Sequence, residues 1–266
     1  MRRFAVSDVH GHRDDLVDAL RSAGLVDAAG DWSGDDATLW VLGDYVDRGP
    51  DGVGVIDVVM RLQQQAPRAR GRVGALMGNH EVLALGMHRF ADAIVRDADG
   101  HEHAFTTSWA LNGGRPSDQA RLTPEHLAWL ADLPAVARDG DWLLTHSDTT
   151  EYLTWGTSVE EVNAHVAGVT AAADLEAWWD LWRGLTTRFA FRGAGGVAAA
   201  EALTGALGGE RIVHGHSIIA TLTGELPSQT TGPLWQAGGR ALAIDGGRYA
   251  GGPLLVVRLD EEEAGA

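Results

Sequence analysis

The sequence predicts a layered α/β fold. Two observations carry that expectation. Short apolar runs alternate with stretches of helical spacing over the first 86 residues, the pattern of an α/β layered domain. Hydrophobic residues make up 45% of the 266, enough to bury a sizeable core and too many for a disordered chain.

The elements follow in order. RFAVSD (3–8) fits a buried strand. DDLVDALRSAG (14–24) has helical spacing, with Leu16, Leu20 and Ala23 on one face and a glycine at its end. TLWVLG (38–43) reads as a second strand, and GVGVIDVVMRLQQQAP (52–67) as a helix stopped by Pro67. GRVGALMGN (71–79) is a third strand that runs into a helix at HEVLALG (80–86). Beyond it the period loosens, and 88–122 reads as a cap or insertion. Thr123-Pro124 marks a helix start in TPEHLAWLADLP (123–134). DWLLTH (141–146) is a strand ending on a histidine, followed by helices at 158–169 and 174–185. ERIVHGH (210–216) is a further strand. ALAIDGG (241–247) and PLLVVRLD (253–260) are late strands, expected to pair around their Gly-rich link. With no internal repeat and no low-complexity linker, a single domain is expected over 1–260, followed by an acidic, solvated tail, 261–266.

Composition excludes several classes. Acids outnumber bases 37 to 21, a net charge of −16, which repels phosphate backbones and argues against a nucleic-acid binder. Any phosphate site must therefore be made locally positive by metal or arginine; all 21 bases are arginine. With no cysteine, disulfides, thiolate metal sites and a cysteine nucleophile are excluded. The apolar run near the start is too short for a signal-peptide core, and no stretch approaches a membrane span. The expected compartment is the cytoplasm, with no membrane partner.

The chemistry gathers at strand ends. SDVHG (7–11), GDYVDRG (43–49), GNHE (78–81), THSD (145–148) and HGHS (214–217) each follow a predicted strand. Asp, Gly and Pro are turn residues, so any one of these alone could be a turn or a cap. Turns do not require such a cluster after five strands. In layered α/β folds, ligands bind at the carboxyl ends of strands. Asp8, His10, Asp44, Asn79, His146 and His216 would meet there. Two carboxylates, three imidazoles and one amide suit first-row divalent ions such as Mn, Fe or Zn. Six such ligands suit two ions that share a carboxylate, and two ions about 3.5–4 Å apart point to phosphoester hydrolysis.

Together these motifs resemble the calcineurin-like metallophosphoesterases. GDYVDRG with GNHE is the narrower signature of the phosphoprotein phosphatase (serine/threonine phosphatase) branch. GPDGVGVIDVVMRL followed by GNHEVLAL is most similar to the bacterial Shewanella-like phosphatases. The resemblance runs from residue 5 to about 258 and is poorest near 88–122. It implies two mixed β-sheets flanked by helices, with a dinuclear metal site at the carboxyl ends of the strands. It further implies that Asp8 and His10 hold one ion, Asp44 bridges, and Asn79, His146 and His216 hold the second. His80 would be the general acid, Asp47 its orienting carboxylate and Arg48 a phosphate-binding group. A second phosphate-binding arginine is expected at Arg183, in Trp182-Arg183, with Arg188 and Arg192 as rivals. His214 is left open between a contact to metal and a place behind the ligands, and Asp148 between such a place and a plain loop acid. Gly113-Gly114 resembles a loop where backbone approaches the substrate. His101 and His103 read as surface residues, and Trp178, Trp179 and Trp182 as helix packing.

The implied activity is hydrolysis of phosphoserine or phosphothreonine, with phosphotyrosine a further option, by direct attack of a metal-bridging hydroxide. The cofactor would be two divalent ions, Mn first, and the substrate a phosphoprotein or small phosphoester. Two alternatives share the core: a dinucleoside polyphosphate or cyclic-nucleotide hydrolase, and a non-catalytic scaffold. A scaffold should have lost a ligand or the acid, and this chain keeps them all.

Overall fold

The structure, a computed structural model, describes residues 2–96 and 100–260. Strand β1 (Arg3–Val6), helix α1 (Arg13–Ser22), β2 (Thr38–Val41), α2 (Gly52–Gln65) and β3 (Arg72–Ala75) form the opening βαβαβ unit. β1, β2 and β3 are parallel neighbours, with Phe4 beside Leu39 and Leu39 beside Val73. Side chains alternate along β2, as the period of two requires. Leu39 and Val41 face the cluster that includes α1 and α2, while Trp40 and Leu42 face a second sheet. α2 begins where the Asp51 carboxylate accepts the Gly54 N–H at 3.0 Å, an N-cap that satisfies a free helix-end donor.

α3 (Asn79–Phe90) leaves β3 directly. The segment without a clean period then forms a hairpin of β4 (Ile94–Arg96) and β5 (Glu102–Ala104), followed by α4 (Phe105–Leu111) and α5 (Pro116–Arg121). Phe105 packs on Phe90 at 5.8 Å and on Trp179 at 5.4 Å, so α4 rests on the core. Aromatic contacts between distant segments leave no local period to read.

The second half continues with α6 (Pro124–Ala131), β6 (Val136–Asp139), β7 (Trp142–Thr145), α7 (Tyr152–Trp155), α8 (Val159–Ala171) and α9 (Leu175–Thr186). α10 (Gly196–Leu207), β8 (Arg211–His214), α11 (Ile219–Thr223), β9 (Leu234–Gln236), β10 (Ala241–Ala243) and β11 (Val257–Arg258) complete the described chain. The second sheet has the order β6-β7-β8-β10-β9, with β7, β8 and β10 parallel. Ala5, Trp40 and Leu42 of the first sheet share one buried cluster with Trp142, Leu144, Val213 and Leu242 of the second. The two mixed sheets thus pack face to face, with helices outside them. Trp178 and Trp179 are buried helix-packing residues, as expected.

One expectation fails. The last two strands do not pair with each other. β10 lies between β8 and β9, whereas β11 crosses to the first sheet and pairs antiparallel with β1. Their Gly-rich link is the crossing between sheets, not a hairpin turn. The acidic tail, 261–266, lies outside the described residues. Among the described residues no helix is long and apolar enough to cross a membrane.

Candidate active site

The polar strand ends converge because β1, β2 and β3 run parallel in one sheet, as β7 and β8 do in the other, so within each sheet their carboxyl ends lie on the same side. The backbone there is bent sharply. Asp8, His10, Asp44, Asp47, Arg48 and His216 all have φ between 44° and 67°. Non-glycine residues avoid this region at a cost of order 1–3 kcal/mol each, and such strain gathers at functional sites.

Hydrogen bonds between loops hold the bends. The His10 and Gly11 amides donate to the Asp44 and Tyr45 carbonyls, both at 2.8 Å. Glu81 binds the Asp44 loop and its own helix start: its carboxylate accepts the N–H groups of Asp44, Tyr45 and Gly78, each at 2.8 Å. Burial and the nearby Asp44 push the Glu81 carboxyl up to about 8, against the stabilising pull of those amides. Asp8 ties the two sheets, accepting the His216 N–H at 2.8 Å. Gly43 has φ +94°, and a Cβ there would lie 2.7 Å from the Gly78 nitrogen, so only glycine fits.

The imidazoles are oriented for ligation. His10 Nδ1 donates to the Val46 carbonyl at 3.0 Å, and His146 Nδ1 to the Leu42 carbonyl at 2.7 Å. A carbonyl can only accept, so in the neutral rings each Nε2 carries a lone pair. His10 Nε2 is buried without a partner and stands 3.4 Å from Asp44. His146 Nε2 stands 3.0 Å from Asn79 Oδ1 and 3.4 Å from Asp44 Oδ1. Lone pairs that converge in this way repel unless a cation lies among them. Burial holds His10 and His216 well below the usual imidazole range, which keeps the rings neutral and able to ligate. Burial, then Asp8, pushes Asp44 well above the usual carboxylate range.

Ligand atoms of Asp8, Asp44, His146 and His216 lie within 4.8 Å of one another, and so do those of His10, Asp44 and His80. Asp44 is common to both groups, which fits a bridging carboxylate. The donor set of carboxylate oxygen and imidazole nitrogen fits first-row divalent ions. Within these groups Asp8 lies near His146 and His216, and His10 near His80.

Beside this cluster, His80 Nδ1 stands 2.8 Å from Asp47 Oδ2, and Arg48 Nη2 stands 3.0 Å from His80 Nε2. A guanidinium only donates, so Nε2 accepts and Nδ1–H donates to Asp47. Trp109 Nε1 donates to the other Asp47 oxygen at 2.9 Å. Burial pushes Asp47 up to about 7 against that bond. Arg48 is braced in turn. Its amide donates to the Gly113 carbonyl at 2.8 Å, and its guanidinium carbon lies 3.9 Å from the Tyr249 ring centroid. Gly113 has φ +90°, and a Cβ there would press to 2.9 Å from Arg48 Cγ. The Gly-Gly loop therefore serves Arg48. Gly113→Ala is expected to raise KM for a phosphorylated substrate with little change in metal content, measured by steady-state kinetics and elemental analysis.

The structure does not bring Arg183 to the cluster. It lines a separate cavity of about 310 Å³ with Glu151, Trp155, Asp180 and Thr187. Arg188 is the arginine at the site, with Nη2 2.8 Å from His216 Nε2. The reason lies in the end of α9, where Arg183 sits within the helix and faces out, while the chain beyond Thr186 turns inward. Asp148 anchors that turn, accepting from the Phe189 N–H at 2.9 Å and from Ser217 Oγ at 2.6 Å. Arg192 touches the Leu222 carbonyl at 3.5 Å instead. His214 is held by the Gly215 carbonyl and Gln236, both at 3.0 Å, and joins neither ligand group. His103 stacks on Trp179 at 5.0 Å, which accounts for it without metal.

Sequence reasoning missed Trp109, Tyr249 and the role of Glu81. No spacing rule points to the first two. Glu81 was in plain view beside Asn79 and His80, where a buried acid next to ligands could have raised the question.

A family model described as calcineurin-like phosphoesterase matches residues 1–219. The chain belongs to this family. Among curated relatives it is 32% identical to Shewanella-like protein phosphatase 2 of Arabidopsis thaliana over 84 residues, 32% of this chain and 22% of the relative. It is 29% identical to serine/threonine-protein phosphatase 1 of Salmonella typhimurium over 141 residues, 53% of this chain and 51% of the relative. The matches to the first three curated relatives span only 22–25% of their lengths. Among solved structures, the cold-active protein-tyrosine phosphatase of a psychrophilic Shewanella species is similar with a TM-score of 0.71 and 22% identity. That match covers 97% of this chain and 75% of the other, and it shows the shared fold. The family match agrees with the metallophosphoesterase resemblance read from the five motifs.

Proposed function

We propose that this metallophosphoesterase is a protein phosphatase that hydrolyses phosphoserine, phosphothreonine or phosphotyrosine with two divalent ions, Mn first among them. The observation that carries the reading is the pairing of a buried ligand cluster around Asp44 with a braced acid and arginine, His80 and Arg48, at its rim. Asp8, His10, Asp44, Asn79, His146 and His216 would hold the ions. When bound, the ions would supply a nucleophilic oxygen at neutral pH and neutralise charge on the phosphoryl group.

The chain's own residues do the rest. Arg48 and Arg188, at the His80 and His216 sides of the cluster, grip phosphoryl oxygens in a protein whose net charge of −16 otherwise repels them. When Arg48 turns to the phosphate, His80 Nε2 is freed to take up a proton from solvent and pass it to the leaving oxygen. Asp47 holds the opposite edge of the ring and stabilises the charged form. A groove of about 530 Å³ between Arg48, Leu111, Asn112, Arg115 and Tyr249 opens beside the site, with Leu111 83% exposed. An open groove of this kind suits an extended chain around the phosphorylated residue.

The experiment is a substrate panel on purified protein reconstituted with Mn²⁺. Phosphopeptides are expected to be hydrolysed with higher kcat/KM than diadenosine tetraphosphate or a cyclic nucleotide, and the reverse order would overturn the protein-phosphatase reading. On the same panel Arg188→Ala should lower kcat/KM by roughly 10–100-fold, on the scale of a lost charge-assisted hydrogen bond of about 1.5–3 kcal/mol. Arg183→Ala should leave it within about twofold. The opposite pattern would return the second phosphate contact to Arg183.

A further inference from the structure

One buried acid of the site remains outside every role given above. Asp245 stands two residues past β10 and is 2% exposed. Its backbone is fixed, since Ile244 N–H donates to the His214 carbonyl and Ile219 N–H to the Asp245 carbonyl, both at 2.9 Å. Its side chain is only half used. Oδ1 accepts the Gly247 N–H at 2.8 Å, while Oδ2 is buried with no partner. β10 is the parallel neighbour of β8, the strand that leads to His216, so Asp245 emerges at the same end of the sheet as the ligands. His10 Nε2 and Ser7 Oγ, on either side of Asp8 in the chain, are likewise buried without partners.

An orphaned buried carboxylate oxygen is costly. Burial and the nearby Asp8 and Asp44 carboxylates all penalise its charge. The turn itself does not need that charge, because an asparagine could accept the Gly247 N–H equally well. A carboxylate kept where an amide would be cheaper suggests a role for the negative charge. The Gly247 N–H and Arg48 act against that penalty. A divalent ion at Asp8 would act in the same direction.

We propose that Asp245 is a further acidic residue of the metal centre, its free oxygen helping to hold the ion at Asp8 through that ion's water shell. Direct ligation is disfavoured because the groups of ligand atoms within 4.8 Å do not include it. Outer carboxylates of this kind tune affinity, and their loss typically costs 10–100-fold in metal binding. The inference rests on the metallophosphoesterase reading of the site, and the experiment separates the two.

The probe is Mn²⁺, titrated into metal-free protein against a chelating dye, with thermal midpoints recorded with and without Mn²⁺. Wild-type protein is expected to bind two ions per chain. Asp245→Asn should bind the same number at saturation, with affinity for at least one lowered about 10–100-fold. Its metal-free midpoint should equal or exceed that of wild type, because a like charge has been removed from beside Asp8. Asp245→Ser, which also keeps a turn acceptor without the charge, should behave in the same way. Mn²⁺ affinity unchanged in both variants would overturn the proposal. A metal-free midpoint that falls together with affinity would also overturn it, by making Asp245 a structural residue. Wild-type protein that binds no Mn²⁺ would instead sink the underlying metal reading and this proposal with it.

Discussion

Replacing His80 with asparagine should lower turnover on a phosphopeptide by roughly 10²–10⁴-fold, the range for losing a positioned general acid. The ring is fully buried, held by Asp47 on one edge and reached by Arg48 on the other. Because Nδ1 is committed to Asp47 and Nε2 faces Arg48, the variant should keep its bound Mn²⁺, as elemental analysis would record. A substrate whose leaving group needs no proton, such as nitrophenyl phosphate, should recover part of the lost rate. Asp47→Asn should show a related defect, since an amide nitrogen facing Nδ1 reverses the ring's proton arrangement. Full activity of the His80 variant on phosphopeptide, with metal retained, would remove His80 from the role of acid.

The second large effect concerns stability. Glu81→Leu is expected to destabilise the fold by about 3–5 kcal/mol, since three buried backbone N–H groups lose their acceptor at about 1–3 kcal/mol each, partly relieved by relaxation. Glu81→Gln should cost less. Its oxygen can keep the Asp44 and Gly78 amides, while its NH₂ faces the Tyr45 N–H. Urea unfolding midpoints at constant m would measure both variants. The two changes should also weaken Mn²⁺ binding, because two of the amides that Glu81 holds, those of Asp44 and Tyr45, belong to the loop that aims Asp44. A Glu81→Leu protein within about 1 kcal/mol of wild type would mean that these amides find other partners.

The site was more legible than the frame around it. Asp8, His10, Asp44, Asn79, His146 and His216 could be read because each follows an apolar run directly, and parallel strands bring such ends to one side. Asp47 and Arg48 lie with Asp44 on the same short loop, so an expectation for one brings the other two with it. Arg183 shows where this reasoning stops. Nothing in Trp182-Arg183 says which way the chain turns at the end of α9, and that turn is set by Asp148 gripping Phe189 from another strand's loop. Trp109 and Tyr249 were invisible for the same reason, since each meets its partner across more than 60 residues of chain. The late strands misled because adjacent apolar runs usually pair, and only the edge of β1 in the first sheet explains why β11 leaves β10.

The order of residues alone thus determines the chemistry available here: oxygen and nitrogen donors without cysteine sulfur, a histidine beside them, and arginine in place of lysine. Strand periodicity determines that these groups sit at strand ends. Which imidazole faces which carboxylate, which arginine reaches His216, and why Asp245 lies buried near Asp8 and Asp44 are decided only by tertiary structure. Those choices depend on contacts between segments far apart in the chain. A hydrogen bond such as that from the His216 amide to Asp8, spanning 208 residues, leaves no trace in local pattern.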